Sequence, residues 1–338
     1  MRLKNNPTLK PSTIRVGLTI GDPAGIGPAI TLKALKILKG KVNFVVIGNS
    51  FVLAKAAEVL KINPRNLPSG NSLSTELIDL NNVKKEVFAF GRLSAQNGKA
   101  SLEYLDAAVE LLKKRKIDCL VTCPISKEAI NLAGSKFSGH TEYLAEKFNR
   151  KDLIMMLIND KFKFSLVTRH IPLRDVCGSI TGHKLKNNIL NTVKGLRQLF
   201  LIRNPRVVVC AVNPHASDNG VIGTEELKVI KPAIKSLSKK CGGAIITGPL
   251  PADVAIFRAS RGEFDCVIAL YHDQALIPLK LTDFDSGVNF TLGLPFVRTS
   301  PLHGTAFDLA AKPALANPNS LIAAIKLAIK CSLNPKKA

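Results

Sequence analysis

Short runs rich in Val and Ile recur along the chain, and between them lie stretches whose apolar residues repeat every three or four positions. Residues 15–20, 42–47, 117–122, 153–158, 164–168, 206–212, 244–247, 266–271 and 288–292 read as strands. Near-continuous apolar strands are buried on both faces, and the intervening amphipathic segments supply helices to cover them. Helices are expected at about 28–38, 50–60, 101–116, 141–148, 184–201 and 321–329, the third presenting Leu102, Leu105, Val109 and Leu112 on one face. The fold class is therefore α/β, with a largely parallel sheet.

A chain of 338 residues favours two domains. The loop 122–127, where a strand ends at Pro124, is the natural boundary: 1–124 with about 300–338 as one domain, 125–299 as the other. No run reaches the eighteen or so apolar residues of a membrane span, and 1–15 is polar and basic. No membrane association is expected, and the cytoplasm is the expected compartment. The seven cysteines include no CxxC pair and several lie in apolar runs, which suits reduced, mostly buried thiols.

The net charge of +23 raises the question of a nucleic-acid partner. The basic residues are scattered singly over helix faces (Lys33, Lys36, Lys39; Lys184, Lys186, Lys194), with short clusters only at 113–116 and in the tail Lys336-Lys337. With no Trp and three Tyr there is little to stack on bases, so a solvated surface and no specific nucleic acid are expected.

Four histidines sit at strand ends or in loops: His140 in SGHTE, His170 in VTRHIPL, His215 in NPHASDNG and His272 in YHDQ. Three neutral imidazoles with an open position make a site for Zn²⁺ or a similar divalent ion. Singly, each is more often a hydrogen-bonded structural residue; that three closely follow strands is what suggests a constellation. GDPAGIGP (21–28) follows a strand and opens a helix, so its amides can face a phosphate or a cofactor, although it is neither GxGxxG nor a P-loop. Between 248 and 308, Lys280 and Arg298 offer cations for a phosphate or carboxylate, with Asn289 as a neutral hydrogen-bonding group between them.

In order, GDPAGIGP, CPISK, FSGHTE, NPHA, GPLPAD, YHDQALIPLK, VNFTLGLPFVRTS and HGTA resemble the motifs of 4-hydroxythreonine-4-phosphate dehydrogenases, from about Val16 to Ala328. The resemblance implies two α/β/α domains with a cleft between them, in the manner of isocitrate and isopropylmalate dehydrogenases. It implies that His170, His215 and His272 bind a divalent metal (Zn, Mg or Co) shared across a homodimer whose active site lies at the subunit interface. His140, Thr141, Lys280, Asn289 and Arg298 would contact substrate. Asp253 and Asp273 are the catalytic candidates, orienting substrate or metal-bound groups. Gly21, Asp22, His303, Gly304, Thr305 and Asp308 would bind NAD or NADP.

The implied reaction oxidises the C3 hydroxyl of 4-phosphooxy-L-threonine to a 3-oxo acid, which decarboxylates to 3-amino-2-oxopropyl phosphate for pyridoxine 5′-phosphate synthesis. Ala29 stands where this family usually has Glu, Leu302 where Asp is expected, and Cys123 and Ser126 replace Ala and Asn. Competing readings are a dehydrogenase of a four-carbon sugar acid 4-phosphate (threonate or erythronate), a basic nucleic-acid-binding protein, and an interaction role on a decayed enzyme scaffold.

Overall fold

The computed structural model describes residues 13–68, 75–137, 139–237 and 241–334. The basic tail Lys336-Lys337, Ser138 of SGHTE and most of 1–15 lie outside the described residues. Eleven strands occur among those described: β1 (Arg15–Thr19), β2 (Asn43–Gly48), β3 (Thr75–Asp79), β4 (Cys119–Thr122), β5 (Ile154–Ile158), β6 (Lys163–Leu166), β7 (Arg206–Cys210), β8 (Ile245–Leu250), β9 (Cys266–Ala269), β10 (Val288–Leu292) and β11 (Val297–Pro301). None of the described helices is long and apolar enough to cross a membrane.

The chain divides into two compact units, 1–151 with 294–333 and 152–293 with 334–338. In the first, five parallel strands run in the order β3-β2-β1-β4-β11. From β1 the chain steps outward to β2 and β3, then returns to place β4 on the other side of β1. Right-handed crossovers therefore put the helix Ala95–Lys113 on the face opposite Gly27–Ile37 and Ser50–Val59. Val16, Leu18, Val46, Ile47, Leu120 and Val121 are buried in this sheet, so helices covering both faces are what such apolar strands demand.

The unit does not stop at Pro124, where the sequence placed the boundary, but continues to Lys151. Helix Lys127–Leu132 is the reason. It packs so closely on Ala95–Lys113 that a Cβ at Gly98 would overlap the Ala129 carbonyl, and Ser126 caps it by accepting from Ala129 N at 3.1 Å. The buried face of Ala95–Lys113 is centred on Ser101, Tyr104, Leu105, Ala108 and Val109, so Leu102 and Leu112 flank it.

In the second unit the strand order is β10-β5-β6-β9-β7-β8, with β10, β5 and β6 antiparallel in turn and β6, β9, β7 and β8 mutually parallel. Helix Gly182–Gln198, begun by Thr181 accepting from Lys184 N, buries Leu185, Ile189, Val193 and Leu196 against β5, β6 and β10.

Candidate active site

The parallel set of the second unit brings its histidines to one edge. β6 leads through Thr168 to His170, β9 through Leu270 to His272, and β7 through Ala211 to His215, and β9 lies between the other two. The three strand ends are tied together. Thr168 donates its N–H (3.2 Å) and its hydroxyl (2.6 Å) to the Leu270 carbonyl. Gln274, buried, accepts from Leu270 N at 2.7 Å and donates to the Ala211 carbonyl at 2.8 Å. The backbone frame beneath the imidazoles is thus fixed by hydrogen bonds between neighbouring segments and not by side-chain packing alone.

His170 and His272 have their ring centroids 5.5 Å apart. His272 opens the helix His272–Thr282, and its Nδ1 lies 2.6 Å from Asp273 Oδ1. A carboxylate on Nδ1 leaves Nε2 as the nitrogen that could meet a ligand. His215 begins a left-handed turn: φ is positive at His215 (52°), Ala216 (52°), Ser217 (69°), Asp218 (43°) and Asn219 (54°), ending at Gly220. For L-residues this costs about 1–2 kcal/mol each, and a run of five persists only where the surroundings impose it.

Among the described residues no three His, Cys, Asp or Glu side chains gather into a metal-ligating group within one chain, so His215 does not join the other two. The donors are nevertheless of the right kind, imidazoles at one sheet edge with a carboxylate behind His272. Asp253 follows β8 at that edge, exposed in the first turn of the helix Ala252–Ser260. Lys280 is exposed, its Nζ 5.3 Å from the centre of the Phe284 ring, and Asn289 on β10 has a buried Oδ1 with no protein partner.

In the first unit the strand order reverses between β1 and β4, the position at which open α/β sheets bind ligands. The loops after those strands meet there: Asp22 N donates to the Pro124 carbonyl at 2.9 Å, and Gly21 (φ 72°) lies so close to Cys123 and Pro124 that a Cβ would overlap them. The loop after β11 joins them, with Ile26 N donating to the Thr305 carbonyl at 2.8 Å. Gly21, Asp22, His303, Gly304 and Thr305 are therefore brought to one edge, and Asp308 follows, exposed, in the short helix Phe307–Ala310.

Asp22 is fully buried, with Oδ1 accepting from Ala24 N at 2.9 Å and Oδ2 left without a partner; burial pushes its carboxyl up to about 6. His303 Nε2 is likewise buried and partnerless. Cys123 of CPISK is inert, its thiol pushed up to about 12 by burial and seated 3.4 Å from Thr31 Oγ1.

Arg298 is fully buried on β11 and donates to Thr122 Oγ1 on β4 at 2.6 Å. Burial draws its guanidinium down to about 10 while the Glu142 charge favours the cation, so it stays charged at neutral pH. Burial and the Arg298 charge hold His140 well below the usual imidazole range, so its ring is neutral, and its Nε2 is buried with no protein partner. Thr141, next to it, is buried in the helix His140–Lys147, which Tyr143 anchors through Asp106.

Residues 40–328 match the family model for the pyridoxal phosphate biosynthetic protein PdxA. The chain belongs to the PdxA family. It is 43% identical over 319 residues to a 4-hydroxythreonine-4-phosphate dehydrogenase from Sulfurihydrogenibium sp., covering 94% of this chain and 98% of that one. It is 38% identical over 326 residues, 93% of this chain and 97% of the other, to an Oceanobacillus iheyensis protein provisionally named D-threonate 4-phosphate dehydrogenase. The crystal structure of 4-hydroxythreonine-4-phosphate dehydrogenase from Klebsiella pneumoniae superposes with a TM-score of 0.82 at 34% identity, covering 95% of this chain and all (100%) of that one.

For this PdxA-family chain, reading the sequence missed the residues beneath the site: Glu226, Gln274, Thr168 and Thr122. Gln274 lies within the YHDQ motif, two residues beyond His272, and an amide at that spacing was the available signal. Glu226 had none, because its partners, the main chain of Val212 and Asn213 and the Asn213 side chain, lie thirteen and fourteen residues away.

Proposed function

We propose that the chain is a metal-dependent, NAD(P)-linked dehydrogenase that oxidises the C3 hydroxyl of 4-phosphooxy-L-threonine in vitamin B6 synthesis. The observation that carries this is the placement of His170, His215 and His272 at the ends of three neighbouring parallel strands in a chain of the PdxA family. A divalent ion (Zn, Mg or Co) held by those imidazoles supplies the positive charge that acidifies the substrate hydroxyl, and NAD⁺ or NADP⁺ takes up the hydride.

The protein's own groups bind and orient. Arg298 and Lys280 provide cations for the phosphate and carboxylate of the substrate. His140 and Asn289 each offer a buried polar atom that no protein group satisfies, as a ligand contact requires. Asp22 and His303 offer the same toward the cofactor, beside Gly21, Gly304, Thr305 and Asp308. Asp273 holds the His272 ring, and Asp253 is the second acid of that edge. In the product the carboxylate lies β to the new carbonyl, so CO₂ is lost to give 3-amino-2-oxopropyl phosphate.

That no three His, Cys, Asp or Glu side chains gather among the described residues of one chain supports a site completed by a second copy. Helix His272–Thr282 exposes Ile277 (65%) and Leu281 (85%), and Phe284 follows at 66%, an apolar strip that a homodimer would cover. Seven free cysteines, six of them buried, suit a cytoplasmic setting.

The test is reduction of NAD⁺ and NADP⁺ with 4-phosphooxy-L-threonine, against D-threonate 4-phosphate, before and after chelation and metal add-back. Metal-dependent reduction favouring the amino acid is expected. Preference for the sugar acid moves the chain to the activity in the name of the Oceanobacillus relative, and inactivity with both overturns the reading. His215→Ala should abolish turnover while leaving fold and dimer intact.

A further inference from the structure

Glu226 is fully buried, yet nothing in the proposed reaction uses it. Its Oε1 accepts from the main-chain N–H of Val212 and of Asn213, both at 2.9 Å, and its Oε2 accepts from Asn213 Nδ2 at 2.9 Å. The neighbouring Glu225 Oε2 takes the same Asn213 amide at 2.8 Å and the Thr224 N–H at 3.0 Å. Glu226 opens a π-helical turn, Glu226–Ile230, a wider coil than the helix Lys231–Lys235 that follows. Such turns are rare and concentrate where a side chain must be aimed at a site.

These bonds account for the backbone between β7 and His215. Ala211 N donates to the Leu250 carbonyl at 2.7 Å, Val212 N and Asn213 N donate to Glu226, and Pro214 has no N–H. Every main-chain donor from 211 to 214 is thus committed, two of them to a single carboxylate. Pro214 then fixes its own φ, and the left-handed run begins at the next residue. A buried carboxylate is tolerated only while its donors stay in place, so the loop cannot slip without stripping it of its hydrogen bonds.

We propose that Glu226 is a positioning residue whose buried carboxylate holds Val212 and Asn213 and thereby sets where His215 presents its imidazole. This rests on the reading of His215 as a metal ligand. Glu226→Gln keeps the shape but has one acceptor oxygen where two were used, and turns an NH₂ toward donors. The loop loses its clamp without losing its volume.

The experiment uses full-length, metal-free protein titrated with Co²⁺ alone, followed by its visible absorption, for the wild type, Glu226→Gln and His215→Ala. Amide hydrogen exchange is read in parallel. In the wild type, Val212 and Asn213 should be protected; if they exchange as freely as a loop, the clamp is absent and the proposal is overturned, whether or not any variant folds. Glu226→Gln should bind Co²⁺ about 10- to 100-fold more weakly, the range for groups behind metal ligands, with faster exchange at those two amides.

Wild-type affinity in Glu226→Gln, while His215→Ala binds weakly, would make Glu226 a scaffold residue only and leave the metal reading standing. Equal affinity in wild type and His215→Ala would remove His215 from the metal site and this proposal with it.

Discussion

Oδ1 of Asp273 lies 2.6 Å from Nδ1 of His272, the residue before it, at the first turn of a helix that starts where β9 has ended. The pair fixes which ring nitrogen faces outward. Asp273→Asn keeps the shape and removes the charge, so kcat/KM should fall about 10- to 100-fold, with part recovered by excess metal. Steady-state kinetics across a metal titration decide it; unchanged kinetics would make the contact incidental.

The buried carboxyl of Asp22 gives a pH signature of unusual sign. Its ordinary value of 3.8 is raised to about 6 in the folded chain, so the native state holds the proton more tightly than the unfolded state. Its contribution is most favourable below about pH 4 and is lost as pH rises to about 6, a change of about 3 kcal/mol. Asp22→Asn should therefore gain stability over wild type progressively between pH 4 and 6 and hold that gain above. Urea unfolding of both proteins across that range is the check, and parallel curves would refute it.

Gly98 decides how closely two helices of the first unit approach. Alanine there would gain about 1 kcal/mol in helix propensity, but its Cβ would run into the Ala129 carbonyl, which is backbone and cannot rotate away. Overpacking costs about 1–3 kcal/mol, so Gly98→Ala should lower Tm in spite of the better helix former. A raised Tm in a thermal melt would show that the helix Lys127–Leu132 shifts freely.

Of the seven thiols, six are buried, and burial pushes Cys119, Cys123, Cys210 and Cys266 up to about 12. Cys177 alone is exposed. Alkylation of the native protein at pH 8, located by mass spectrometry, should modify Cys177 quickly and the others only after denaturation. Fast labelling of Cys123 would contradict its seat beside Thr31.

Most of the sheet could be read from the sequence because its strands are largely apolar, and nine of the eleven strands among those described fall on segments read as strands. The two that escaped have other chemistry. β3 (TELID) is a half-buried edge strand with two acids, and β11 (VRTSP) is buried but carries Arg298, Thr299 and Ser300. The helix His272–Thr282 was obscured by Pro278 inside it. At the site, the histidines announced themselves by following strands. The left-handed turn at 215–219 did not, since none of its residues is glycine. Nor did Glu226, whose partners lie thirteen and fourteen residues back in the loop after β7, or Thr122, whose partner Arg298 is brought to it by strand order.

That strand order also bears on how the protein comes to be made. β9 lies between β6 and β7 but is the last of the three to be synthesised, about a hundred residues after β6. Until it inserts, Thr168 has no Leu270 to hold, Gln274 is not there to reach Ala211, and His170 and His215 stand on strands that do not touch. Contacts this distant in sequence form late and slowly. On the proposed reading, a metal held across these strand ends would find its site only after the topology is complete, and would prolong the life of the folded unit by slowing its unfolding.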